Sequence, residues 1–285
     1  METRPLLVKR HAHLNGNRAH LTEKHLAIVS HELRTPLSAI LNWVQVLQKS
    51  PADQELVKRS AEAIERSARM QVQLVNDLVD ISRINVRRVK LEKTNCDLDQ
   101  LLRLTLLTVE HAVRAKRIRI SYVAFGKVLV HADVRRLQQV LTNLMDNAIK
   151  FTPIEGTITV ALSLRSERAV ITVADSGCGF APDLSSRLFE QFHQPDNGVH
   201  SEGLGLGLYI VKNIVELHGG TVMALSTGPG EGAIFTVQLP AAADHVRRTR
   251  SLNRSGRSFA SATASIKRSS DSSCRNAPGS GRDGG

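Results

Sequence analysis

From about Ala19 to Gln48, apolar side chains recur at alternating intervals of three and four: Leu26, Val29, Leu33, Pro36, Ile40, Trp43 and Leu47. That spacing predicts a helix carrying one heptad seam. Lys49-Ser50-Pro51-Ala52-Asp53 interrupts it, with Pro51 as the break. A second seam follows at Val57, Ala61, Ile64, Ala68, Gln71, Val75, Leu78 and Ser82. Two helices with one stripe each form a hairpin with a thin core. Pairing two hairpins into a four-helix bundle buries both stripes, so a homodimer is expected.

After about Lys90 the pattern alternates between helical and strand periods. Arg117–Val123 and Lys127–Val130 read as strands and Ala132–Lys150 as a long amphipathic helix. Thr157–Ser163 and Ala169–Ala174 read as a strand pair, turning at Glu167-Arg168. Leu204–His218 reads as a helix entered through a glycine run and stopped by Gly219-Gly220. Thr221–Leu225 and Ala233–Leu239 are the last strands, joined through Gly228–Gly232. The expected fold class is α+β: a helical hairpin forming a dimeric four-helix bundle, then an α/β sandwich with helices on one face of a mixed sheet. The domains are a flexible leader (1–18), the hairpin (19–90), the sandwich (91–240) and a disordered basic tail (241–285) rich in Ser, Arg, Gly and Ala.

Composition changes this picture little. The chain has 285 residues, 41% of them apolar but only 4% aromatic, so Leu, Val, Ile and Ala must fill its cores. The net charge of +11 sits at the ends. Lys and Arg number 15 against 9 Asp and Glu over residues 1–90, 14 against 15 over 91–240, and 9 against 3 over 241–285. Such a tail is able to bind nucleic acid, but it reads as a solvated end and carries no folded DNA-binding motif; no specific nucleic-acid partner is expected. Cys96, Cys178 and Cys274 lie far apart in no metal-ligand spacing, which suggests a reducing compartment. No run approaches the ~20 apolar residues of a transmembrane segment. A cytoplasmic location is expected, with membrane association only through a partner.

Ser30-His31-Glu32-Leu33-Arg34-Thr35-Pro36-Leu37 is the most informative octet. With Leu26, Leu33, Ile40 and Leu47 at the first core position of each heptad, His31 falls on the outer face. An exposed neutral imidazole is a competent nucleophile near pH 7. Glu32 is placed to accept its proton or fix its tautomer. Thr35, one turn on, is able to hold a water beside a transferred phosphoryl group, or to back-bond next to Pro36.

Four later segments follow in order. Asn143, Asn147 and Lys150 share one helix face; amide oxygens suit Mg²⁺ and the lysine suits phosphate, although the same residues also make an ordinary polar face. Asp175-Ser176-Gly177-Cys178-Gly179 ends an apolar strand, where a carboxylate is able to accept from an exocyclic amine and glycines permit close backbone approach. Cys178 reads as a small filler. Leu188-Phe189-Glu190-Gln191-Phe192 precedes a polar stretch, with aromatics suited either to a lid or to the core. Gly203-Leu204-Gly205-Leu206-Gly207 opens a helix, an anion site for polyphosphate. It matches neither the dinucleotide fingerprint nor a P-loop.

Ser30–Leu37 resembles the phosphoacceptor box of sensor histidine kinases, and Leu26–Leu47 is similar to their dimerisation helix. His131–Leu239 resembles the ATP-binding domain shared by histidine kinases, gyrase-type topoisomerases, Hsp90-type chaperones and mismatch-repair ATPases. The resemblance implies His31 as phosphate acceptor and ATP as donor. It further implies Mg²⁺ on Asn147 with Asn143 assisting, phosphate on Lys150, adenine at Asp175 beside Gly177 and Gly179, and Gly203, Gly205 and Gly207 around the phosphates. A mobile lid is implied between Phe192 and Gly203. The other ATPases generally carry a catalytic glutamate where Asn143 stands; an amide cannot activate water, which favours transfer to a histidine. The expected activity is autophosphorylation of His31 followed by transfer to an aspartate on a separate response-regulator receiver domain. About 18 residues precede the first helix, so either the chain is a fragment or a separate sensor protein grips the leader. The alternative reading is a catalytically inactive, dimeric nucleotide-binding regulatory module.

Overall fold

A computed structural model describes residues 23–49, 52–86, 89–124, 126–193 and 204–242. The leader, the tail beyond Ala242, most of the expected lid and Gly203 lie outside the described residues. Hairpin and sandwich belong to one compact unit ending at Ala242.

Helix α1 (Glu23–Lys49) runs through Pro36 without a break. The expected seam faces inward from Val29 to Leu47, with Pro36 buried, but Leu26 is 51% exposed. Helix α2 (Gln54–Asn85) starts at Asp53, whose carboxylate accepts from the Leu56 N–H at 3.0 Å. Its first turn carries Glu55 and its last Arg83, complementing the helix dipole. Here the expected register is corrected. Val57, Ile64, Gln71 and Leu78 are half-buried as expected, whereas Ala61, Ala68, Val75 and Ser82 are exposed. Their places are taken one residue earlier by Ser60, Ser67, Leu74 and Ile81. The rotation has a physical cause: Leu74 and Ile81 belong to the core of the following domain as well as to the hairpin.

That domain begins with β1 (Thr94–Asp97) and α3 (Leu98–Ala115), then β2 (Arg119–Ala124), β3 (Leu129–Ala132) and α4 (Val134–Phe151). It continues with β4 (Thr157–Arg165), β5 (Arg168–Asp175), two 3₁₀ turns (Pro182–Leu184 and Arg187–Phe189), α5 (Gly207–Leu217), β6 (Thr221–Leu225) and β7 (Ala233–Pro240). Strands β2-β4-β5-β7-β6 form one sheet, parallel between β2 and β4 and antiparallel elsewhere, while β1 and β3 make a separate antiparallel ribbon. The mixed sheet with helices on one face agrees with expectation. Ile158, Val160 and Leu162 of β4, Ile171 and Val173 of β5, and Phe235 and Val237 of β7 are buried beneath the helices, and their alternating neighbours are half-exposed. The tight turn between β4 and β5 falls at Ser166-Glu167, both at positive φ, rather than at Glu167-Arg168. Two elements have no counterpart in the sequence reading, namely β1 and α3.

A set of hydrogen bonds fixes the helices that carry the site. Asp133 caps α4, accepting from Arg136 N–H at 3.1 Å and from Glu92 N–H at 3.0 Å. His218, at the end of α5, accepts the Asp133 N–H on Nε2 at 3.0 Å and donates from Nδ1 to Ile214 carbonyl at 2.8 Å. Those two bonds select the neutral tautomer, and burial pushes the imidazole pKa down. Asp80 of α2 receives Arg136 Nη1 at 2.8 Å and Gln139 Nε2 at 2.7 Å, and Asn85 accepts from the Tyr209 hydroxyl at 3.1 Å. The hairpin is thereby fastened to α4 and α5.

Asp80→Ala and Arg136→Ala should each lower stability by ~1–3 kcal/mol, since each strands a largely buried partner. The double variant should cost little more than either single one, because the lost interaction is shared. Denaturant unfolding of the four proteins measures this.

Candidate active site

The nucleotide-type motifs converge on one cavity of about 320 Å³. Asn147, Lys150 and Phe151 enter from the last turns of α4, Asp175 from the end of β5, and Gly205 and Gly207 from the entrance to α5. Phe180, Leu188, Leu204, Leu206, Ala233 and Phe235 give it an apolar lining. Gly179 and Cys178 complete the side below Asp175.

The Asp175 carboxylate accepts the Gly177 N–H at 2.9 Å and also the Ala233 N–H, but burial outweighs both and pushes its pKa up to about 6. Gly179 has φ +58°, and a Cβ there would collide with the Gly228 carbonyl. The Gly228–Gly232 turn clamps this segment through Gly230 N–H to Cys178 carbonyl at 2.7 Å and Gly232 N–H to Gly177 carbonyl at 3.1 Å. Ser226, buried, ties the same turn by donating to Gly232 carbonyl at 2.7 Å and accepting Phe180 N–H at 3.2 Å. Gly177 and Gly179 thus admit another stretch of backbone, in addition to framing the cavity. Burial also raises the Cys178 thiol pKa, in keeping with a neutral filler.

At the entrance to α5, Gly205 has φ +67°, and a Cβ on it would stand 2.5 Å from the His193 carbonyl oxygen. Lys150 holds its ammonium 5.0 Å from the Phe151 ring centroid. Asn143 is placed differently from Asn147: it is buried and donates from Nδ2 to the Gly207 carbonyl at 3.3 Å, beneath the glycine turn rather than on the cavity wall.

One wall escaped the sequence reading. Met70, Gln73, Leu74 and Asp77 of α2 close the cavity from the hairpin side. Asp77 accepts from Gln73 at 2.9 Å, and burial pushes its carboxyl up to about 6. The only signal available was a pair of carboxylates, Asp77 and Asp80, on an otherwise inward-facing helical stripe.

His31 stands on α1 with its side chain 76% exposed. Its Nδ1 lies 3.4 Å from Glu32 Oε1, and Thr35 donates its hydroxyl to the His31 carbonyl at 3.1 Å. Ala27, Ile28, His31 and Glu32 line a small depression together with Phe192. The two aromatics of the Leu188–Phe192 segment part company: Phe189 is buried in the core, while Phe192 reaches α1. Among the described residues no three His, Cys, Asp or Glu side chains gather as a metal cage, and no helix is long and apolar enough to cross a membrane.

Two family models match parts of the chain. Residues 22–86 match the His Kinase A (phospho-acceptor) domain, and residues 132–243 match the histidine kinase-, DNA gyrase B- and HSP90-like ATPase. The sensor histidine kinase TmoS of Ectopseudomonas mendocina is 37% identical over 218 residues, 75% of this chain and 22% of TmoS. Among solved structures, full-length ShkA in complex with AMPPNP has a TM-score of 0.57 and 32% identity, covering 78% of this chain and 46% of ShkA. The histidine kinase ThkA in complex with the response regulator protein TrrA has a TM-score of 0.61 and 25% identity, covering 85% of this chain and 69% of that one. The chain spans 22–29% of the length of the curated relatives TmoS, cyanobacterial CikA and GacS.

Asp175→Asn should weaken adenine-nucleotide binding about 10- to 100-fold at pH 7.5, the worth of a hydrogen bond to a charged acceptor. The gap between wild type and variant should narrow as pH falls through about 6, where the wild-type carboxyl also becomes neutral. Titration calorimetry at pH 7.5 and 5.5 measures it; the nucleotide's own ionisation is common to both proteins. A gap independent of pH would remove Asp175 as the charged acceptor.

Proposed function

This chain belongs to the histidine kinase family, and from that premise we propose that it transfers the γ-phosphoryl group of ATP to its own His31 and then to an aspartate on a separate response-regulator receiver domain. The observation that carries the reading is the pairing, in one compact unit, of an outward-facing His31 with a cavity walled by Asn147, Lys150, Asp175 and the Gly205–Gly207 turn.

The acceptor chemistry follows from the imidazole's surroundings. With its proton on Nδ1, facing Glu32, His31 presents an unprotonated Nε2 to solvent. Nε2 forms the bond to the γ-phosphorus, the bond from that phosphorus to the β,γ-bridging oxygen breaks, and ADP leaves with the electron pair. The imidazolium proton on Nδ1 passes towards Glu32. Thr35 keeps its oxygen lone pairs while donating to the His31 carbonyl, so it is able to hold a water for the reverse dephosphorylation.

On the donor side, Asp175 accepts from the adenine amine, Gly177 and Gly179 shape the ring's surroundings, and Lys150 meets phosphate. The backbone N–H groups of the Gly205–Gly207 turn face the phosphates at the entrance to α5. The residues suit a hard, oxygen-seeking cation: the Asn147 amide lines the cavity, Asn143 lies one turn behind it, and nucleotide phosphates complete such sets. Mg²⁺ held there would supply neutralising charge to the polyphosphate.

A homodimer is supported by the apolar side chains that one hairpin leaves uncovered. Leu37 and Leu41 of α1 and Val72, Val75 and Val79 of α2 are 42–60% exposed at helical spacing. A receiver partner is supported by the ThkA structure, which contains a response regulator. A cytoplasmic location fits ATP as donor and the two free cysteines among the described residues, Cys96 and Cys178.

Incubation with γ-labelled ATP should produce an acid-labile, base-stable label that His31→Gln abolishes and that chases onto a purified receiver domain. Label persisting in His31→Gln would overturn the assignment. Nucleotide binding without any label would favour the inactive regulatory module instead.

A further inference from the structure

The Leu188–Phe192 segment holds one side chain, Phe192, that packs half-buried at the edge of the core and yet makes a contact the nucleotide site does not use. Phe192 leaves the cavity and stacks on the His25 ring of α1, with centroids 4.5 Å apart and planes 18° from parallel. His25 lies six residues before His31, ~9 Å along the helix axis. Phe192 also forms a wall of the depression that contains His31 and Glu32.

Its backbone is equally unusual. Phe192 has φ +58°, a left-handed conformation that strains a bulky side chain and persists only where the surroundings impose it. The next residue, His193, lines the nucleotide cavity and packs its carbonyl against Gly205 of the phosphate turn. Its Nε2 is buried with no hydrogen-bond partner among the described residues. Two consecutive residues therefore face two different sites. His193 abuts the turn expected to hold phosphate, and Phe192 abuts the helix that carries the acceptor. The left-handed turn at Phe192 is what sends the two side chains apart.

The geometry points to Phe192 as a positioning residue for phosphoryl transfer, seating the donor cavity on the acceptor helix by its stack on His25. This role rests on the kinase reading above. It needs no contact between Phe192 and the nucleotide, so it separates binding from transfer. A small misplacement of donor and acceptor costs up to about 100-fold in rate.

In the full chain, Phe192→Ala should lower the kcat of His31 labelling about 10- to 100-fold while leaving the KM for ATP within about twofold. Phe192→Tyr should restore the rate by restoring the ring. His25→Ala should reproduce the defect, and the double variant should be little worse than either alone. Independently of activity, the His25 ring protons should show an aromatic ring-current shift in wild-type NMR spectra that Phe192→Leu removes. An unchanged kcat in Phe192→Ala, a defect confined to KM, or no ring-current shift at His25 would each overturn the proposal. A wild-type protein that shows the shift yet never labels His31 would fail on the kinase reading instead, and the positioning role would fall with it.

Discussion

Helix α2 has to bury two faces at once, and much of the structure follows from how it divides them. One face packs against α1, and Ser60 and Ala63 are buried along it. Further along, Leu74 and Ile81 join the core of the sandwich, and Asp80 takes hydrogen bonds from Arg136 and Gln139 at the start of α4. A helix serving only a hairpin keeps a single seam, whereas one serving two partners must rotate that seam. The one-residue displacement from Ala61, Ala68, Val75 and Ser82 is that rotation. It leaves Val75 and Val79 outside, and it brings Met70, Leu74 and Asp77 over the cavity.

How far such a molecule is legible from its sequence depends on whether the relevant partner is local. The sheet was legible because period-two alternation is a property of each strand: Ile158, Val160 and Leu162 point one way whatever they pack against. Helix α4 and the glycine entrance to α5 were legible for the same reason, since their signals lie within a few consecutive residues. Helix α3 was not. Its buried Leu98, Leu101, Leu102, Thr105, Val109 and Val113 keep helical spacing, but Leu104 and Leu107 on the opposite face, 51% and 66% exposed, blur that stripe in the sequence. Strand β1 is four residues of mixed polarity, and its identity comes from pairing with β3.

The site shows the same division. Asp175, Asn147, Lys150 and the glycines were readable as a set, but what each glycine accommodates was not. Gly179 meets the carbonyl of Gly228 and Gly205 meets that of His193, contacts 49 and 12 residues away in sequence. Nor does spacing say that Phe189 and Phe192, three residues apart, go to different places. The 3₁₀ turn Arg187–Phe189 aims Phe189 into the core, and the left-handed residue after it reverses the chain towards α1.

Asn143 shows most directly why residue type and position do not by themselves define a role. Read along the helix, it is an amide one turn before Asn147, and an oxygen ligand for a cation is the natural reading. In space its Nδ2 donates to the carbonyl of Gly207, the first residue of α5. A carboxylate at that position would oppose two oxygens with no proton between them and repel the turn. An amide attracts it, because its nitrogen end is a donor. The donor end of Asn143 thus links α4 to the glycine entrance of α5, while its oxygen stays free of that bond. The residue type that cannot take a proton from water is therefore also the one that tethers the turn.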